Sequence, residues 1–423
     1  MENKRQYILS LLMLGALYFV FGLVSWVNSI LVPYFKVACE LQSQVQVYLA
    51  NFAFYIAYLV MTIPASLMLN RTGYKKGTMY GLWVLALGAF LFTPAALTRE
   101  YSLFLVALFT MGTGLAILQT VANPFVTIIG PLDSAARRMS IMGVCNKFAG
   151  IIAPIVFAAI VIGPGDKLIM DQVQAGELTG AAKDAALNEL VRGVIPPYLV
   201  LGVLLVIFGV IFFKSGIQDI NPSAQNKSTE EGGERKSILS YPYLVLGALA
   251  LLLHLGSQVI SVNTIIGYAQ GALGYDLLAA KVFPSYTLGC ILFGYLFGIV
   301  LIPKYLKQKT ALQICTCLGL VLSFLVVLTP VKSSIWFLVL LGIPNSLIYA
   351  GIWPLAIRNL GKWTNLGSSL LVMGLCGNAI LPLIYAFVAD RFGSLQIGYW
   401  VLVPCFAYMI FYAFKGYKIE NWK

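Results

Sequence analysis

Charge is scarce in this chain. Asp, Glu, Lys and Arg make up 10% of its 423 residues, against about 25% in soluble domains. So few charges cannot cover a water-facing surface of this size, and lipid is the solvent most of the chain is built for. Histidine is scarcer still, with His254 the single example. One imidazole, and no pair of carboxylates inside any apolar run, leave no Ser-His or Cys-His set and no acid–base pair to assemble. No glycine-rich phosphate loop follows a strand. The chain therefore reads as no enzyme, without a cofactor. Its seven cysteines, Cys39, Cys145, Cys290, Cys315, Cys317, Cys376 and Cys405, show neither a disulfide framework nor metal spacing.

Apolar length is what the chain has instead. Hydrophobic residues reach 60%, and a spanning helix needs about 20 mostly apolar residues. Twelve such stretches occur, at 7–32, 46–69, 76–97, 102–130, 139–163, 194–214, 241–270, 282–303, 310–330, 334–357, 366–389 and 395–414. None alternates apolar and polar at every second residue, as a barrel strand does, so helices are expected. The start, MENKRQYILSLLMLGALYFVFG, opens like a signal peptide. Its apolar run is too long and lacks a small-residue cleavage site, so it reads as an uncleaved first helix. The net charge of +12 reflects topology rather than nucleic acid. Lys and Arg concentrate in alternate loops, among them Lys4, Arg5, Arg71, Lys75, Arg137, Arg138, Lys236, Lys304, Lys362 and Lys415. That bias places both termini in the cytoplasm.

One polar segment, SGIQDINPSAQNKSTEEGGERKS at 215–237, divides the stretches six and six and reads as a flexible linker. The expected organisation is an N-terminal half at 1–214, a linker at 215–240 and a C-terminal half at 241–423. A second polar stretch at 165–190 allows a short surface helix. The halves resemble each other. MGVC at 142–145 and MGLC at 373–376 are followed by Asn146 and Asn378, then by Pro154 and Pro382. Asn-Pro at 123–124 corresponds to Trp-Pro at 353–354. Two such halves point to a two-fold transporter with its substrate near mid-membrane.

Inside the spans lie neutral amides, hydroxyls and aromatics, groups that hydrogen-bond a polyhydroxylated solute and stack on its apolar face. They include Tyr18, Ser25, Trp26, Asn28 and Ser29 in the first stretch, Gln119 and Asn123 in the fourth, and Asn146 in the fifth. The seventh holds His254, Ser257 and Gln258; the tenth holds Asn345, Tyr349 and Trp353 on one helical stripe; the eleventh holds Asn378. The serines fit close helix packing equally well, His254 fits a packing role, and Asn123 fits a brace for a break at Pro124. Gln119 and Gln258 are harder to reduce to packing, because an unpaired amide in lipid costs several kcal/mol.

The stretches LFLVALFTMGTGLAILQTVANPFVTIIGP, VNSILVPYFK and GIPNSLIYAGIWPLAIRNLGKWTNLGSSLLVMGLCG resemble the fucose:proton symporter family of the major facilitator superfamily, over about residues 14 to 390. NRTGYKKG at 70–77 is similar to the superfamily's loop between helices 2 and 3. The resemblance implies an all-α membrane protein of twelve transmembrane helices in two six-helix halves. It also implies that Ser29 and Gln119 occupy the positions of the proton-coupling Asp and Glu, Gly143 and Asn146 those of two sugar contacts, and Tyr349 that of a third. Where relatives often have an acid in helix 7, this chain has Gln258. LQTVANPF followed by MSIMGVCNK is similar to the glucose/galactose and N-acetylglucosamine permeases of that family.

The resulting expectation is a monomeric hexose permease of the bacterial inner membrane, working by alternating access. Its substrate-binding residues are Asn28, Ser29, Gln119, Asn146, His254, Gln258, Asn345, Tyr349, Trp353 and Asn378, beside a helix break at Asn123 and Pro124. An exporter of amphipathic compounds, a fucose symporter and a non-transporting sugar receptor are the alternatives. No acid falls within the twelve stretches, so coupling is expected to be absent or to use sodium. Lys147 and His254 are the deeper groups able to carry a proton, and Lys147 is expected to pair with backbone or phosphate near the cytoplasmic surface.

Overall fold

The computed structural model describes residues 2–41, 44–161, 169, 172–173, 177–217 and 237–422, without the side chains of 2–4, 26–34, 36–38, 44–45, 47–48, 154–161 and 277–278. Most of the expected linker, residues 218–236, lies outside the described residues. Regular structure among the described residues is entirely helical. The main helices are α1 Glu2–Ala38, α2 Gln44–Thr98, α3 Tyr101–Ile128, α4 Ala135–Val161, α5 Gly180–Arg192 and α6 Ile195–Lys214, then α7 Pro242–Asn263 and α8 Ile265–Leu273. They continue as α9 Phe283–Leu301, α10 Gln308–Leu328, α11 Val331–Leu340, α12 Gly342–Ile357, α13 Thr364–Met373, α14 Gly377–Phe392 and α15 Leu402–Phe414.

Ten stretches of the described residues are long and apolar enough to cross a membrane. One of them, Leu49–Thr98, runs 50 residues and turns at Gly73, whose φ of 76° is a backbone state that glycine adopts without strain. It therefore supplies two crossings. α4, 27 residues long, supplies another, so the twelve expected places are filled. Leu12, Leu67, Val200, Val300 and Phe387 expose more than half their surface, as lipid-facing side chains do. Hydroxyls within the spans mostly bond their own helix: Thr62 donates to Tyr58 O, Thr120 to Ala116 O and Ser257 to Leu253 O, at 2.7 to 2.8 Å. This lowers their polar cost in lipid and uses their one donor.

Two compact units form. The first comprises Met1–Val121 and Phe148–Asp219, the second Ala122–Lys147 and Ile220–Lys423. In the first unit Phe92 of α2 stacks on Tyr198 of α6, with ring centroids 3.8 Å apart. Arg99 ties Glu40 and Asp184 together at 3.3 and 3.1 Å, fixing α5, the short helix allowed by the second polar stretch. In the second unit α7 packs on α14 through small residues, and Gly377 lies against the Leu252 carbonyl with no room for a Cβ. Close backbone approach of this kind is the usual helix contact in lipid. Arg358 donates to Tyr417 O at 2.8 Å and lies over the rings of Tyr243 and Tyr417, holding the chain after α15 against the start of α7.

Candidate functional site

In the first unit the expected polar residue Gln119 is half-buried on α3 and donates from Nε2 to the Tyr58 hydroxyl at 3.1 Å. Tyr58 is 1% exposed and stacks on Tyr55 with centroids 6.2 Å apart. Gln119 thus gives the buried Tyr58 oxygen a donor and is itself held by it. The sequence reading missed Tyr58; the signal was two tyrosines spaced i, i+3 within one apolar stretch. The side chains of Asn28 and Ser29 lie outside the described residues.

The expected helix break at Asn123 and Pro124 is not found. α3 keeps its helical course across both to Ile128. Pro124 removes one donor, but the helix end beyond it is held from outside. The Arg138 guanidinium, 2% exposed, donates from Nε to Val126 O at 2.8 Å. Its Nη1 donates to Pro131 O at 3.0 Å and Ser134 Oγ at 2.6 Å. Its Nη2 donates to Thr127 O at 2.7 Å and Gly130 O at 3.2 Å. All five donors of the fork are used, four of them on carbonyls at or just past the C-terminal end of α3, where a positive charge also meets the helix dipole favourably.

The clamp sets the direction of α4, whose positions 136, 140, 143 and 147 recur on one face. Along that face the Ala136 N–H donates to Gln308 Oε1 at 3.2 Å, Ser140 abuts Gly298, and Gly143 abuts the Tyr295 ring. The Lys147 ammonium donates to Gln258 Oε1 at 3.2 Å. Lys147 was expected at the cytoplasmic surface. It is 8% exposed, because it shares the face that α4 turns toward α7 and α9.

Around that bridge lies a polar cluster of the second unit. Gln258 Nε2 donates to Asn345 O at 3.4 Å, joining α7 to α12. His254, one turn before Gln258, is fully buried, and neither ring nitrogen has a hydrogen-bond partner among the described residues. The Asn345 amide is equally enclosed and unpartnered. Asn378 stands half-buried in the first turn of α14 with an enclosed, unpartnered Oδ1. Asn146 is half-buried beside Lys147. Unpartnered buried amides are costly, so this cluster has unused capacity for hydrogen bonds from a polar guest. The rings of Tyr349 and Trp353 lie 5.7 Å apart at 31°. Trp353 is fully buried and Tyr349 only partly, so Tyr349 is the more accessible of the pair.

Among the described residues the fold is all-helical and of membrane length, with polar clusters held between packed helices, as membrane transport proteins are built. The family model of the Major Facilitator Superfamily matches residues 14–369, and the chain belongs to that superfamily. It is 31% identical over 422 residues to the glucose/galactose transporter of Brucella abortus biovar 1 (strain 9-941), covering 99% of this chain and 96% of the relative. It is 28% identical over 428 residues to the L-fucose-proton symporter of Escherichia coli (strain K12), again covering 99% and 96%. Among solved structures it resembles the Major Facilitator Superfamily transporter FucP in the outward conformation, with a TM-score of 0.81, 28% identity, and coverage of 96% of this chain and 98% of that one. The proton:xylose symporter XylE, at 13% identity and a TM-score of 0.67, shares the fold.

Proposed function

We propose that this protein is a monosaccharide permease that moves a hexose of the glucose, galactose or N-acetylglucosamine type by alternating access. The observation that carries the proposal is the polar cluster of Lys147, Gln258, Asn345 and His254 beside the partly exposed Tyr349. It offers neutral amides and an aromatic face, the groups that suit uncharged hydroxyl-rich rings. Gln119 on Tyr58 supplies a second amide of the same character. The names of the Brucella and Escherichia relatives support a sugar substrate. An exporter of amphipathic compounds calls for a wider apolar cavity with an acid, and no acid falls in any of the twelve apolar stretches.

The same absence supports the finer reading of coupling. Ser29 and Gln119 cannot gain or lose charge, so the protein works without the carboxylates that resemblance places there, either by facilitated diffusion or with sodium on neutral oxygen ligands. We further propose two six-helix halves at 1–214 and 241–423 with a linker at 215–240, in a bacterial inner membrane, with both termini cytoplasmic. Uptake of labelled glucose by proteoliposomes, competed by a panel of hexoses and by fucose, tests the substrate. Saturable uptake inhibited by glucose-type hexoses is expected. Binding without uptake would make the protein a receptor, and efflux of amphipathic dyes without sugar uptake would make it an exporter.

A further inference from the structure

Gly143 lies on the contact face of α4, and a Cβ there would collide with the tip of the Tyr295 side chain on α9. The nearest ring atom is Cζ, the carbon that bears the hydroxyl, followed by Cε1 at 2.5 Å and Cε2 at 2.8 Å. The phenol tip is thus laid on bare backbone in a notch that any side chain at position 143 would fill. Asn146 and Lys147 stand three and four residues further along α4, on the next turn. Lys147 is bridged to Gln258. The Tyr295 tip therefore sits one helical turn from that bridge.

Two further observations separate this residue from ordinary packing. Tyr295 is 7% exposed, and its hydroxyl makes no hydrogen bond to any described residue. The Tyr412 hydroxyl is also without a partner but is fully enclosed, whereas Tyr295 keeps a little exposed surface. A phenol whose body is held tightly and whose hydroxyl makes no hydrogen bond is placed to meet a guest. Its neighbours on α9 fix that placement. Gly294 and Gly298 let the helix lie close against Ser346 and Leu347 of α12, so the ring between them has little freedom to turn away.

We propose that Tyr295 is a substrate-contacting, specificity-determining residue of the sugar site, its hydroxyl bonding one hydroxyl of the hexose and its ring resting in the Gly143 notch. This rests on the hexose reading above. The test is binding of glucose and its singly deoxygenated analogues to purified wild-type protein and to Tyr295→Phe, which keeps the ring and removes only the oxygen. Loss of one neutral hydrogen bond weakens binding roughly 2- to 13-fold, so Tyr295→Phe is expected to fall by that factor at an unchanged thermal midpoint. One deoxyglucose, weaker for the wild type, is expected to bind Tyr295→Phe no worse than glucose does, which names the hydroxyl that Tyr295 meets. The other analogues are expected to lose affinity equally in both proteins. Equal affinity of the two proteins for every sugar, or a uniform loss coupled to no single hydroxyl, overturns the proposal in favour of packing. Absence of hexose binding by the wild type overturns the permease reading instead. Should Tyr295→Phe not fold, a photoreactive hexose applied to wild-type protein gives the answer. Labelling at the Tyr295 peptide, suppressed by excess glucose, supports the contact, and labelling confined elsewhere removes it.

Discussion

Replacement of Arg138 by lysine tests how the α3–α4 turn is held. The guanidinium satisfies five acceptors with five donors at 2.6 to 3.2 Å. An ammonium has three donors and no fixed fork, so at least two of those bonds cannot be remade. Hydrogen bonds to a charged group contribute about 1.5–3 kcal/mol each, which sets the expected loss at about 3–6 kcal/mol. The carbonyls released belong to Val126, Thr127, Gly130 and Pro131, and the first two lie in the last turns of a spanning helix with little water to replace the donor. Because α4 takes its direction from this turn, the loss also loosens the Lys147–Gln258 bridge about two and a half turns on. The assay is reversible unfolding of the purified protein in mixed micelles, followed by tryptophan fluorescence, for wild type, Arg138→Lys and Arg138→Gln. Lysine is expected to be the milder of the two, since it keeps the charge at the helix end. An Arg138→Lys protein within about 1 kcal/mol of wild type would show that the five bonds do not hold the turn.

Gln119→Ala is expected to weaken sugar binding roughly 3- to 30-fold, and a Gln119→Ala, Tyr58→Phe double mutant to lose less than the sum of the two, because the pair shares one hydrogen bond; additive losses measured by titration would separate the residues. Tyr349→Ala is expected to reduce sugar affinity more than Tyr349→Phe, since the ring is the stacking surface proposed for the sugar, while Trp353→Phe should be tolerated better than Trp353→Ala; equal effects of the two Trp353 changes would point to packing alone. Proteoliposomes given a pH gradient without sodium are expected not to concentrate sugar. Concentrative uptake under those conditions, abolished by Lys147→Ala or His254→Ala, would show that one of these residues has replaced the missing acids.

The sequence by itself determined that this is a helical membrane protein with twelve crossings and a transporter's organisation. The reason is that lipid leaves a chain few choices: backbone groups must bond within each span, and apolar length alone then marks the spans. The polar residues could also be named, because an amide or a lysine in hydrocarbon is conspicuous wherever it points. Where each points was not legible. Leu12 and Phe387 face outward while Leu14 and Leu381 face inward, and in lipid both environments are apolar, so hydropathy does not distinguish the faces. Only the tertiary structure decided that Lys147 meets Gln258, 111 residues away, that Tyr58 holds Gln119, and that Gly143 makes room for Tyr295. Arg138 reads in the sequence as one loop cation among several that orient the chain. Its burial on five acceptors exists only once α3 and α4 fold back on each other, because the carbonyls it satisfies converge only in that turn.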